Sequence, residues 1–396
     1  MGGGTGGTTS FIAEQLNHTN YEILYMDFSK SSMSIAQLRT KIRGCLKTVW
    51  ILDWIENIPR LGLGNFDLAQ SGGVLHHLKC PQKGLKIIYD IQCKHGGAQI
   101  MVYGKYGRTG VYQIQDVLRI INQYVEEVDR ELTNAKLVIN GLSDRHWFNQ
   151  NNLKDHIAMG DVGIYDLCLH SRDISFRIQE LYRWVVRSNY ILVDFALPEH
   201  RIQLSLRSII HEQLMLAKVT TLNISVMQSV SEIVYGNMFT HEIYVSKQQN
   251  SEASLNTNEN VIFAYGSPVG FSGIIHERSN YRQKRNETFI FATLVRMNEL
   301  VGRFTWPSTV FGNFALQLLT TKPFKPRTIQ QLVIGCNRAT KINMTINDGE
   351  DVLKELFSYL KETGVFFLKK NKINEFPKTC CLNQFKLINI NARNYH

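Results

Sequence analysis

The first ten residues, Met1-Gly2-Gly3-Gly4-Thr5-Gly6-Gly7-Thr8-Thr9-Ser10, place five glycines in one turn. Glycine lets a backbone pass close to a ligand, and a helix that follows offers unpaired N–H groups to a polar or anionic partner. A short helix is expected over Phe11–Leu16, capped by Thr9 or Ser10. Asn17–Asn20 has turn chemistry, and Tyr21–Met26 is an apolar run that ends in Asp27. An acid about twenty residues past a glycine turn, at the end of the next strand, is placed to hold ribose hydroxyls. The two features together describe a nucleotide-binding turn.

A phosphate-cradling loop needs a lysine before its Ser or Thr, and Gly7-Thr8 has none. Two readings stay open at this point: Gly2-x-Gly4-x-x-Gly7 suits a dinucleotide, and Gly2-x-Gly4-x-Gly6 suits an adenosyl-binding loop. Downstream, Ser34–Arg43 carries Ile35, Leu38 and Ile42 at helical spacing. Val49–Leu52 is a short strand ending at Asp53-Trp54, a carboxylate and an aromatic that suit the edge and the face of an adenine. The next stretch is Phe66-Asp67-Leu68-Ala69-Gln70-Ser71-Gly72-Gly73-Val74-Leu75-His76-His77-Leu78. Adjacent histidines on a helical turn cannot both face one metal ion, so no metal site is expected. Pro81–Asp90 reads as a helix, Gly96–Tyr103 as a strand opened by a glycine turn, and Gly104–Gly110 as a glycine-broken loop. This alternation to about Gln123 implies a parallel sheet, with ligands beyond the carboxyl ends of its strands.

Taken together, the glycine turn, Asp27, Asp53-Trp54, the V-L-H-H-L stretch and the Gly96-Gly97 strand resemble class I S-adenosylmethionine-dependent methyltransferases over residues 1–125. Asp161–Asp173, with its D-L-C-L-H-S-R-D ending, is similar to a D-x-L-L-H-P-x-D element. That element follows the catalytic domain in bacterial methyltransferases fused to tetratricopeptide repeats and in related insect proteins; Ser171 stands where the pattern has Pro. The resemblance implies S-adenosylmethionine as cofactor, held by Gly2, Gly4, Gly6, Asp27, Asp53, Trp54 and Ser71. It implies in-line methyl transfer in which the enzyme mainly positions the reactants. His76, His77 and Tyr103 are the candidate bases, and Arg108 is the candidate holder of an anionic substrate. The family's glycine turn is preceded by a central apolar strand, and here only Met1 precedes it, so that strand is expected to be missing. A chain that starts as a fragment, or one that has become a methyltransferase-like binding module without catalysis, is the expectation attached to that difference.

At 396 residues and 44% hydrophobic content the chain can build several cores. The expected architecture is α/β: a Rossmann-like, mostly parallel methyltransferase sheet over 1–125, a helical cap or substrate region over 126–235, and an α+β accessory region over 236–396. Glu242–Ser246 and Val261–Tyr265 look like strands on either side of a polar loop. Arg303–Leu319, the stretch from Pro326, Asp351–Glu362 and Gly364–Lys370 read as helix, helix, helix and strand, an order that resembles a winged-helix module. No apolar run approaches the roughly 18 residues a membrane span needs, and the seven scattered cysteines lack metal or disulfide spacing. A cytoplasmic or nuclear protein is expected. The net charge of +10 admits a nucleic-acid partner through the basic tail, although dispersed positive charge more commonly marks a solvated surface.

Overall fold

The strands of the first unit form two separate ladders, and residues 1–3 hydrogen-bond to both. In the computed structural model, β1 (Ile23–Asp27) pairs in parallel with β2 (Thr48–Leu52). A separate ladder joins β3 (Phe66–Gly72), β4 (Gln92–Tyr103), β5 (Ile191–Phe195) and β6 (Thr240–Ser246) in the order β3-β4-β6-β5. The Gly3 N–H donates to the Met26 carbonyl on β1, and the Met1 nitrogen donates to the Gln70 carbonyl on β3. The N-terminal residues therefore stand between β1 and β3, where the missing central strand was expected. Because β3 is parallel to β4 while β6 is antiparallel to both β4 and β5, only β6 runs against the others in its ladder. The Rossmann-like, mostly parallel α/β sheet is as the sequence implies.

The structure describes residues 1–248 except 17–19, 46, 151–153, 198–199, 201–202, 207–214, 216–217 and 220. Beyond these it describes 260–264, 273–278, 289–296, 299–307, 315, 328–361 and 366–370. The chain divides into two units, one of which takes Met1–Ala196 and Glu232–Gln249. Helices α1 (Gly7–Leu16), α2 (Lys30–Ile42) and α3 (Pro81–Asp90) alternate with the first strands. The glycine turn enters α1 at Gly7, earlier than the Thr9 or Ser10 cap expected. In α3, Pro81 opens the first turn, where its missing N–H has no partner to lose. Leu85, Ile87 and Ile88 are buried there, and Gly84 lets Leu75 and Leu78 close in, since a Cβ on it would lie 2.4 Å from Leu78 Cδ1.

β4 is longer than expected, starting at Gln92, and its glycines lie inside the strand where the register against β3 shifts. After β4 come α4 (Thr109–Ile121) and α5 (Val128–Asn140). Val111, Ile114 and Leu118, spaced for one helix face, join Ala135, Phe148, Ile164, Leu167 and Cys168 in a buried helical cluster. Full burial of each large aliphatic side chain contributes about 1.5–3 kcal/mol. The polypeptide then returns through α6 (Ile178–Arg187) to β5, so the region expected to be a helical cap also supplies a strand to the main sheet. α7 (Ile224–Tyr235) carries the boundary between the units.

The second unit takes Leu197–Ser231 and Asn250–Cys381. It contains β7 (Asn260–Ala264), β8 (Gly273–Arg278), β9 (Phe289–Arg296), β10 (Glu299–Pro307), α8 (Ile329–Thr340), α9 (Ile346–Lys361) and β11 (Phe366–Lys370). β8, β9 and β10 form an antiparallel sheet, and β7 pairs with β11. The strands on either side of Lys247–Asn260 pair elsewhere, β6 with β4 and β5, and β7 with β11. One expectation is corrected. The helix expected from Arg303 is a strand through Pro307. The next stretch of that expected helix, 308–314, lies outside the described residues. Among the described residues no helix is long and apolar enough to cross a membrane, and no group of His, Cys, Asp or Glu could hold a metal ion.

Candidate functional site

The glycine turn folds back over the end of β1. Gly4 N–H donates to Asp27 Oδ2 at 2.8 Å, Ser29 N–H donates to Asp27 Oδ1 at 2.8 Å, and Tyr25 OH donates to the Gly4 carbonyl at 2.5 Å. The carboxylate is thus oriented by backbone donors on both oxygens, and each oxygen retains a further lone pair. The glycines differ in what surrounds them. A Cβ on Gly2 would meet Val74, one on Gly3 the Tyr25 ring and one on Gly6 the Cβ of Ala36 at 2.5 Å, so these three serve close packing. Gly4 has φ +49° and nothing within 4 Å of its would-be Cβ. Of these four glycines it is the one that faces open space.

Asp53 N–H donates to the Asp27 carbonyl, which brings the end of β2 beside the end of β1. The Asp53 carboxylate accepts from Asn57 Nδ2 and from Trp54 N–H, each at 2.7 Å. The Asn57 bond first, then the Trp54 bond, hold its pKa below the ordinary carboxylate value. Next to it, Trp54 stacks on Phe28 with centroids 4.3 Å apart and planes 6° apart, and both rings are more than half exposed. Phe28 was not anticipated from sequence; its place directly after Asp27 was the available signal. Ser71, near the end of β3, is fully buried and its Oγ has no partner among the described residues.

The four candidate catalytic residues lie in one cluster at the carboxyl ends of β3 and β4. His76 is buried against Tyr103 at 3.8 Å between centroids and against His77 at 4.1 Å. Neither His76 nitrogen has a partner among the described residues, and burial, followed by the neighbouring charges of His77, Arg108 and His170, pushes its pKa down to about 2. It is a neutral ring at any ordinary pH. Arg108 lies over the Tyr103 face at 3.6 Å and pairs with Asp173 Oδ2 at 2.9 Å, with both side chains buried. Gln115 Nε2 donates to the same oxygen at 3.1 Å, and Arg108 Nε donates to Tyr112 OH at 3.3 Å. The guanidinium is committed to these internal partners. Burial raises the Tyr103 phenol above its ordinary value. The Asp161–Asp173 element thus packs its His170 onto the V-L-H-H-L turn and its Asp173 onto Arg108, Tyr112 and Gln115, which sequence could suggest only by analogy.

The comparisons bear on this constellation. Residues 1–98 match the family described as a methyltransferase domain. Within that match lie the glycine turn, Asp27, Asp53, Trp54, Ser71, His76 and His77. An uncharacterized Synechococcus sp. protein is 27% identical over 206 residues, 49% of this chain and 47% of that protein. The chain therefore spans about half the length of this curated relative. Among solved structures, PKMT2 from Rickettsia typhi superposes with a TM-score of 0.60 at 12% identity, covering 94% of this chain and 70% of that one. The same protein in complex with AdoHcy superposes with a TM-score of 0.60 at 11% identity, covering 93% and 70%. The likeness in fold to the Rickettsia protein thus covers more of the chain than the 98 matched residues.

Proposed function

We propose that the chain is an S-adenosylmethionine-dependent methyltransferase that binds its donor between the glycine turn and the ends of β1, β2 and β3. The observation that carries the reading is Gly4: a left-handed glycine, hydrogen-bonded to the ribose-type acid Asp27, whose missing side chain opens onto free space. The chemistry around it fits an adenosyl group. Asp27 has spare acceptor lone pairs, the exposed Phe28–Trp54 pair supplies an aromatic edge beside Asp53, and the Ser71 hydroxyl has no partner among the described residues. The AdoHcy complex of the Rickettsia protein and the match of residues 1–98 support the same cofactor. The bound donor supplies an electrophilic sulfonium methyl group.

The residues of this chain orient that group and deal with the acceptor's proton. Tyr103 and Arg108 build a rigid floor, since a buried guanidinium stacked on a phenol and paired to a carboxylate has little freedom. His77 is the imidazole of the pair that keeps partial solvent access. Titration calorimetry with S-adenosylmethionine is the direct test. Saturable binding to the full chain, lost in Asp27→Ala, is the expected result, and no heat at millimolar donor would remove the enzyme reading.

A further inference from the structure

The peptide groups of Arg172 separate the two adjacent histidines and assign them different work. A carbonyl oxygen only accepts, so the 2.8 Å contact between His77 Nδ1 and the Arg172 carbonyl places a proton on Nδ1. In the neutral ring the lone pair is then on Nε2. The Arg172 N–H donates to His170 Nδ1 at 3.1 Å, so neutral His170 carries its proton on Nε2. The rings stack with centroids 3.9 Å apart and planes 28° apart. One residue's backbone thus holds two stacked imidazoles in opposite tautomers. Arg172 is itself held in place by its neighbours: Asp173 is locked by Arg108 and Gln115, and Ile174 N–H donates to the His76 carbonyl at 3.1 Å. His76 takes no part in proton exchange, because its ring is enclosed by Tyr103 and His77.

We infer that His77 Nε2 is the general base of methyl transfer, that His170–Asp173 is the positioning segment that keeps its lone pair free, and that the acceptor is a hydroxyl or ammonium group that must lose a proton. This rests on the methyltransferase reading. In the step, the acceptor's oxygen or nitrogen forms a bond to the methyl carbon and the carbon–sulfur bond breaks. The sulfur keeps that electron pair as a neutral thioether, and the acceptor's proton passes to His77 Nε2 and then to water. A base must be unprotonated to act. Burial lowers the His77 pKa, with His170 acting in the same direction, against the Arg172 hydrogen bond and the carboxylates of Asp173 and Asp166.

The test uses the full chain labelled with nitrogen-15 histidine, with long-range proton–nitrogen spectra at pH 7 assigned through His77→Gln. The expected pattern is a protonated Nδ1 and bare Nε2 on His77, the reverse on His170, and tautomer mixing at His77 in His170→Ala. A protonated Nε2 on His77, or an unchanged tautomer in His170→Ala, overturns the inference. The second measurement follows transfer from S-adenosylmethionine to probe panels of phenols, alcohols, primary amines, thiols and carboxylates. His77→Gln should retain calorimetric donor affinity within about twofold and lose at least about 100-fold in transfer to hydroxyl or amine probes. Undiminished transfer, or a wild-type chain that modifies none of those probes, overturns the base assignment while donor binding still stands. Absence of donor binding in the wild type removes the underlying reading as well.

Discussion

His76 is a buried imidazole with neither nitrogen hydrogen-bonded among the described residues, an arrangement that costs about 1–3 kcal/mol. Its folded pKa of about 2 lies below the ordinary 6.5, so the unfolded chain takes up a proton that the folded chain refuses as pH falls below 6.5. Stability is unaffected by this ring above that pH and declines by about 1.4 kcal/mol per unit below it. Urea denaturation at pH 7 and pH 5 should show a loss of about 2 kcal/mol that His76→Phe abolishes, with equal or greater stability at pH 7. A variant that keeps the full acid sensitivity would refute the assignment. At the glycine turn, Gly6→Ala meets Ala36 at an unfavourable φ of +78° and should cost about 2–4 kcal/mol. Gly4→Ala has room for its methyl but pays about 1–2 kcal/mol for a φ of +49°, so its melting temperature should fall less than that of Gly6→Ala while S-adenosylmethionine affinity falls at least about tenfold; equal affinity would place the donor elsewhere. The glycine turn and Asp27 were visible in sequence because they are local. Which glycine faces open space was not, since that depends on Val74, Tyr25 and Ala36 arriving from other elements.

At the scale of elements, the Asp161–Asp173 segment is fastened to α4 through Arg108, Tyr112 and Gln115. Removing one partner of a buried ion pair leaves an uncompensated charge, so Asp173→Ala should lower stability by about 3–5 kcal/mol. The loss should concentrate near residues 161–175, and limited proteolysis there is the check; unaltered cleavage would mean the ion pair does not hold the segment. α3 was legible to the residue because Pro81 marks its first turn and its apolar spacing is regular. β10 was not: its stretch from Arg303 was read as the start of a helix, whereas it pairs with β9 in unbroken register from Gly302 to Pro307. β6 was recognised as a strand, but its partners β4 and β5 lie far away in sequence, and pairing at such distance leaves no local mark.

For the whole molecule, all the residues proposed to hold the donor lie in the unit built from Met1–Ala196 and Glu232–Gln249. A calorimetric scan of the full chain should therefore show donor stabilisation of that unit's transition, by about 2.7 kcal/mol at a hundredfold excess over Kd. A transition of the second unit should not move, and a shift in the second alone would contradict the site. The sequence by itself determined the class of sheet and the positions of the glycine turn and of the candidate residues, since these follow from glycine spacing and from strand and helix periodicity, whereas an adenosyl ligand for that turn was implied only by the family resemblance. Only the tertiary structure decided that residues 1–3 hydrogen-bond to both β1 and β3, that Arg108 is consumed by Asp173, and that Arg172 distinguishes His77 from His76. Each of those depends on hydrogen bonds and burial between segments far apart in the chain, where spacing carries no information.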